Sequence, residues 1–234
     1  METEEALKLF MDKLLASKVA PYIRKVILFG SFAKGTATRE SDLDVLILSS
    51  DGQQVHEEIA KIVFLFQMDY KIPIEPIIED VDEILHPSYF LYSVLNYGQE
   101  VYSVDKEKIK REARENLIRL AEEYLCGAEE VAKSGRFRMS IDAAYNAAEL
   151  AVKSLILSKV DDLPASHGGV IGKFGELFVK TKELEEDLGR ELNLALGLRN
   201  SARYKYQTLL REEDANKVLN LARIMIDKAN TFLK

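Results

Sequence analysis

Hydrophobic and polar positions follow two different periods along this chain, and the change falls near Asp105. Before it, short apolar runs bounded by turn residues alternate with stretches of helical spacing. Val26-Ile27-Leu28-Phe29 is a run of β-formers that stops at Gly30, as a strand buried on both faces would. Leu43 to Leu48 reads as a second strand. Lys71 to Ile78 reads as a third, with Ile72 and Ile74 toward the core and Glu75 on the opposite face. Pro73 and Pro76 remove ladder donors from that third strand and argue for an edge strand, or for one whose ends fray. Helices are expected near residues 3–19, 54–67 and 80–96, the last interrupted by Pro87. Strands alternating with helices indicate an α/β class for residues 1–105.

After Asp105 the period is helical throughout. One stripe runs Leu117, Leu120, Ala121, Tyr124, Leu125, Ala128, Val131. A second runs Ile141, Ala144, Tyr145, Ala148, Val152, Leu155, Ile156, and a third Val218, Leu221, Ala222, Met225, Ala229, Phe232. Ser134-Gly135 and the segment from Asp161 to Gly169 break the pattern, so residues 106–234 read as an all-α antiparallel bundle.

Charge sharpens the division. Residues 1–105 hold nine basic and eighteen acidic residues, a net of −9, whereas residues 106–234 are close to balanced. So acidic a first half is a poor binder of nucleic acid by itself. No apolar run approaches the roughly 18 residues of a membrane span, so no membrane partner is expected. The single cysteine, Cys126, excludes an intramolecular disulfide and suggests a reducing, cytoplasmic setting; its place among apolar neighbours suggests the core. His56, His86 and His167 lack metal-ligand spacing. The glycines at 168, 169, 172 and 175 follow no strand and precede no Gly-Lys-Ser/Thr, so they read as a loop and a close-packed helix start.

The candidate chemistry lies between the first two strands. Gly30 lets the chain turn sharply and approach a ligand without a Cβ in the way. Ser31 and the amides after it would face a phosphate, with Lys34 as a further contact. Ten residues on, Asp42 and Asp44 stand two apart at the start of a strand and share a face. Two carboxylates so close repel unless a cation lies between them, which makes Mg²⁺ or Mn²⁺ the expected cofactor. Glu75 is the candidate third acid, with Glu79 and Asp80 as fallbacks.

The stretch Gly30-Ser-Phe-Ala-Lys-Gly-Thr-Ala-Thr-Arg-Glu-Ser-Asp-Leu-Asp44 resembles the signature of the DNA polymerase β-like nucleotidyltransferases, in their minimal form. The resemblance implies a mixed sheet with flanking helices, ATP or another NTP as substrate, and Asp42, Asp44 and Glu75 as catalytic metal ligands. Lys34 stands where many members carry arginine, and Glu75 where aspartate is common. The second half is similar to a HEPN domain on Ser166-His167-Gly168-Gly169-Val170-Ile171, on Phe174 and Phe178-Val179-Lys180, and on Leu198-Arg199-Asn200 leading to Tyr204 and Tyr206. Many HEPN ribonucleases have an arginine, four to six intervening residues, then a histidine, in some followed two residues later by a tyrosine, which Tyr206 matches. Here Arg199 is kept and Tyr204 takes the histidine position. A phenol with a pKa of about 10 is a poor base near neutral pH, so no ribonuclease activity is expected. On a regular helix Tyr204 is rotated by about 140° from Arg199, and the helix must end or bend for Tyr204 and Tyr206 both to meet it.

In related two-protein systems the nucleotidyltransferase is the antitoxin and adenylylates a tyrosine of its HEPN partner. The resemblance therefore implies a protein tyrosine as acceptor, with Tyr206 ahead of Tyr204, and a homodimer as the assembly. A kanamycin nucleotidyltransferase-type arrangement, with a small hydroxylated acceptor, is the alternative. A third reading is a nucleotide-sensing module whose helical half binds a partner or RNA.

Overall fold

The computed structural model describes residues 3–38, 41–85 and 88–233. The chain forms two compact units, Met1–Ile109 and Lys110–Lys234.

The first unit opens with α1 (Thr3–Leu15), which carries Glu4 and Glu5 in its first turn and Lys13 in its last, each matched to the helix dipole. Four strands follow: β1 (Ile23–Leu28), β2 (Leu43–Ser49), β3 (Ile74–Asp80) and β4 (Gln99–Ser103). They form one sheet in the order β3-β2-β1-β4. β1 pairs antiparallel with β2 and β4, while β2 and β3 run parallel, so the sheet is mixed. Between the strands lie α2 (Gly30–Ala33), α3 (Gly52–Tyr70) and α4 (Tyr89–Tyr97).

Alternation along the strands builds two cores. Val26, Leu28, Leu43, Val45, Ile47 and Ile74 pack against Phe10 of α1 and Ile59 and Phe66 of α3, with the Phe10 and Phe66 rings edge-to-face at 5.9 Å. Ile27, Leu46 and Leu48 pack on the other face against Leu91 and Val94 of α4. Asp44 shares the parity of Leu46 and Leu48, which puts it on the α4 face at the strand's beginning.

The third strand is an edge strand, which suits Pro76 within it, but it begins at Ile74, not Lys71, so Pro73 lies just before it. α3 runs on to Tyr70 and ends with Lys71 in the left-handed conformation (φ 58°), its N–H bonded to the Gln67 carbonyl, and this cap uses the residues expected to open the strand. The helix expected over 80–96 resolves into a 3₁₀ turn at Val81–Leu85 and α4; Pro87 lies outside the described residues.

The second unit is all-helical: α5 (Lys106–Lys133, whose first turn holds the division), α6 (Phe137–Leu157), α7 (His167–Phe174), α8 (Glu186–Tyr204) and α9 (Glu212–Thr231). A turn of π-helix at Gly175–Val179 follows α7. α6 is the central element. Its alanines let neighbours approach closely, and every residue of the expected second stripe is buried. The third stripe is buried on α9 from Val218 to Ala229.

The first stripe needs correction. Leu120 and Tyr124 are exposed, and the buried positions of α5 are Ile109, Ala113, Ile118, Ala121 and Ala128. Cys126 is exposed as well, because it lies off that line of contact. No described helix is long and apolar enough to cross a membrane.

Candidate active site

The end of β1 and the start of β2 are drawn together by antiparallel pairing, with Leu28 opposite Val45 and the Phe29 N–H donating to the Asp44 carbonyl at 2.9 Å. The chain then turns at Gly30, whose φ of 66° is unfavourable for residues with a side chain. A second constraint acts at the same residue. A Cβ on Gly30 would lie 1.8 Å from Oδ2 of Asp44 and 2.6 Å from its Cγ. The Asp44 carboxylate is thus seated on the bare backbone of the turn, and the β1–β2 pairing brings the glycine and the acid together.

Burial pushes the Asp44 carboxyl above its usual value, the charge of Asp42 pushes it the same way, and a hydrogen bond from the Ser31 backbone N–H opposes both. The two acids are therefore a repelling pair with a partly desolvated member, which is the electrostatic situation a divalent cation relieves. Hard carboxylate oxygens suit Mg²⁺ or Mn²⁺.

β3 carries Glu75 to the position directly beside Asp44 in the parallel register. Neighbouring residues in register project from the same face, so the expected third acid stands one strand away from the pair. Its carboxylate is not drawn in: among the described residues no group of three or more His, Cys, Asp or Glu side chains is close enough to hold a metal ion. Glu79 and Asp80 sit at the far end of β3, opposite Leu48 and Ser49. Asp80 is already engaged there, accepting the Gly52 N–H at 2.6 Å at the start of α3. Neither fallback acid belongs to this site.

The expected phosphate contacts have local partners. The Ser31 carbonyl accepts the Thr36 N–H at 2.9 Å, closing the loop after α2. Lys34 follows that single turn, its ammonium 4.6 Å above the Tyr97 ring of α4, a cation–π contact that holds the charge near the α4 face. Arg39 and Glu40, between the turn and the acids, lie outside the described residues.

The Arg199, Tyr204 and Tyr206 group is not assembled. Arg199 is buried, its Nε 3.3 Å from Oδ1 of Asp142 on α6, and Asp142 is also gripped by Arg203 at 2.6 and 3.0 Å. Tyr204, in the last turn of α8, is 69% exposed, and Tyr206, just past its end, is 87% exposed. The helix ends between them without returning either phenol to the buried arginine.

A polar cluster that the sequence did not announce lies deeper in the bundle. Glu149 of α6 is buried, bonded to Nδ1 of His167 at the start of α7 and 3.4 Å from the Lys153 ammonium. Burial raises its carboxyl, but His167, Tyr145 and Lys153 together outweigh burial and hold it below the usual range. Tyr145, fully buried, is driven far upward by burial and by the charge of Glu149. The available signal was Tyr145, Glu149 and Lys153 at four-residue steps inside an alanine-rich stripe.

Comparison with known proteins agrees with the two-part division. A family model described as HEPN domain matches residues 114–231, and one described as nucleotidyltransferase domain matches residues 11–118. Among curated relatives, "Putative toxin MJ0142" of Methanocaldococcus jannaschii is 31% identical over 126 residues, covering 54% of this chain and 84% of that protein. "Putative protein adenylyltransferase MJ0141" of the same organism is 39% identical over 103 residues, covering 43% of this chain and all of the relative. A solved spectinomycin adenyltransferase from Enterococcus faecialis aligns over 99% of both chains at 14% identity and a TM-score of 0.32, too loose a likeness to build on.

Proposed function

We propose, for a chain that belongs to the HEPN domain family and carries a nucleotidyltransferase domain ahead of its bundle, that it transfers the adenylyl group of ATP to a tyrosine of its own helical half. Tyr206 is the preferred acceptor and Tyr204 the second, within one chain or across a homodimer. The observation that carries the catalytic reading is the Asp44 carboxylate seated on Gly30 with its proton affinity raised by burial and by Asp42. The acceptor reading is supported by the exposure of Tyr206, and by two kinds of relative, one named a toxin and one a protein adenylyltransferase, each matching about half of the chain.

Asp42 and Asp44 would hold Mg²⁺ or Mn²⁺, with Glu75 alongside. A bound divalent cation supplies positive charge to the triphosphate and to the attacking and leaving oxygens. Gly30 lets the nucleotide approach the backbone, and Ser31 and Lys34 bind and orient its phosphates. The Tyr206 phenolic oxygen attacks the α-phosphorus and forms the new P–O bond. The bond from that phosphorus to the bridging oxygen of the β-phosphate breaks, pyrophosphate leaves, and the phenolic proton passes to solvent. Positioning and charge neutralisation carry most of such a reaction.

The buried Arg199 and the exposed Tyr204 support a helical half that does not cleave RNA. Cleavage by the purified protein that Arg199→Ala abolishes would overturn this reading.

The deciding experiment is intact-protein and peptide mass spectrometry after incubation with Mg²⁺ and each of the four NTPs, with Asp42→Ala and Tyr206→Phe in parallel. An adenylyl adduct on Tyr206, absent from both variants, is the expected result. Labelling retained in Asp42→Ala removes the catalytic assignment. No adduct on either tyrosine moves the acceptor to an external hydroxyl compound.

A further inference from the structure

Tyr206 lies in the segment between α8 and α9, where a residue so exposed would ordinarily sample many positions. One side chain ties down the backbone here, alongside the bond from the Thr208 N–H to the Lys205 carbonyl at 3.2 Å. Arg138, in the first turn of α6, donates from Nη1 to the carbonyls of Ser201 and Ala202 at 3.1 and 2.9 Å. Its Nη2 lies 2.8, 3.1 and 2.5 Å from the carbonyls of Lys205, Tyr206 and Thr208, its two N–H groups being shared among the three. Two of the five acceptors belong to the last turn of α8: the carbonyl of Ser201, which also accepts the Lys205 N–H at 3.2 Å, and that of Ala202. The other three are the backbone on either side of the Tyr206 ring and that of Tyr206 itself.

A guanidinium is suited to this because its donors lie in one rigid plane, whereas a lysine ammonium presents three donors on a flexible stem. The contacts also divide the work. All five fall on backbone and none on the phenol, so the hydroxyl stays free while the chain that carries it is fixed. Beside it, Tyr206 lines an open groove of about 500 Å³ shared with Arg136, Met139 and Leu209.

We propose that Arg138 is the positioning residue of the acceptor: by clamping the carbonyls around Tyr206 to the end of α8, it fixes the backbone from which the phenol is presented for nucleotidyl transfer. The proposal rests on the reading that Tyr206 accepts the adenylyl group. Without the clamp the segment must be ordered anew at each transfer, and that cost falls on the chemical step and not on nucleotide binding.

The test uses the full chain, Mg²⁺ and ATP, and follows the Tyr206 adduct over time by peptide mass spectrometry in wild type, Arg138→Lys and Arg138→Ala. The maximal labelling rate should fall roughly tenfold to a hundredfold in both variants while the half-saturating ATP concentration stays as in wild type. Arg138→Lys keeps the charge and carries the test if Arg138→Ala does not fold. Hydrogen exchange should rise in residues 203–210 and stay unchanged in the middle of α6. An adduct forming at the wild-type rate in Arg138→Lys overturns the proposal and leaves the acceptor assignment standing. So does a slowed rate accompanied by lost protection throughout α6 and α8, which marks general unfolding. Absence of any Tyr206 adduct in wild type overturns the acceptor assignment, and this proposal with it.

Discussion

The two halves of the chain treat buried charge in opposite ways. In the nucleotidyltransferase half, Asp42 and Asp44 are like charges side by side, and the partly buried Asp44 is left with its carboxyl raised. In the helical half the buried Glu149 is surrounded by His167, Lys153 and Tyr145, and the surroundings more than offset its burial. Asp142 likewise sits between Arg199 and Arg203. A group whose charge is balanced by its own protein is part of the architecture. A pair left in repulsion is held ready for something that arrives from solution. On this criterion the acid pair is the proposed functional centre, and the Arg199 region, with its carboxylate partner in place, is read as bracing.

The sharpest way to break that contrast is to remove one acid from the repelling pair. Asp42→Ala should lower adenylyl transfer by about a thousandfold or more, while the first unit melts no earlier, since the change relieves repulsion and breaks no ion pair. Gly30→Ala should abolish transfer too, but with the opposite effect on folding. Its methyl would collide with Asp44 and its φ of 66° would be strained, so that stability falls along with activity. Adduct formation and thermal melting on the two variants separate the cases. Equal destabilisation by both would mean the acid pair is structural after all.

The same contrast explains what could be read before the structure was known. The acid pair and the glycine were legible because one short stretch of chain holds the whole constellation, and a strand's two-residue repeat fixes the shared face. Glu75 was legible as a residue of an edge strand, but which of the two sheet edges that strand takes, and hence its place beside Asp44, is set by packing and not by spacing. The line of burial on α5 was misread because Leu120 and Tyr124 also satisfy a three-to-four spacing. Periodicity shows that a helix has an apolar face, whereas packing against α6 selects which of two overlapping stripes is covered. The Glu149–His167 contact joins residues eighteen positions apart across a loop, and no local rule links them.

A change in the braced half should produce the reverse outcome to Asp42→Ala. Asp142→Ala leaves the buried Arg199 guanidinium without its nearest carboxylate, and because Asp142 is itself part-exposed the cost should be about 1–3 kcal/mol. Hydrogen exchange in α6 and α8 should report that loss, with ATP binding by the other half undiminished. Protection in α6 unchanged by Asp142→Ala would remove Asp142 and Arg199 from the bracing network. A matching loss of ATP affinity would instead make them part of the nucleotide site.

The smallest effect is the most discriminating, because the two halves should respond to acid with opposite signs. Glu149 titrates in the folded bundle below its ordinary value of 4.5. Its stabilisation is therefore complete above that value and is lost as pH falls through the folded pKa. Asp44 titrates above its ordinary value of 3.8, so the folded first unit holds that proton more tightly than the unfolded chain does. Lowering pH through the Asp44 titration should accordingly stabilise the first unit while it weakens cation binding at the proposed acid pair. Hydrogen exchange measured separately in α6 and in β2 across mildly acidic pH resolves the two slopes. Glu149→Gln should flatten the α6 slope alone, and Asp44→Asn the β2 slope alone. Slopes of the same sign would mean that Asp44 is compensated within the protein, and the distinction between a centre held open for a cation and a closed structural network would fail at its first member.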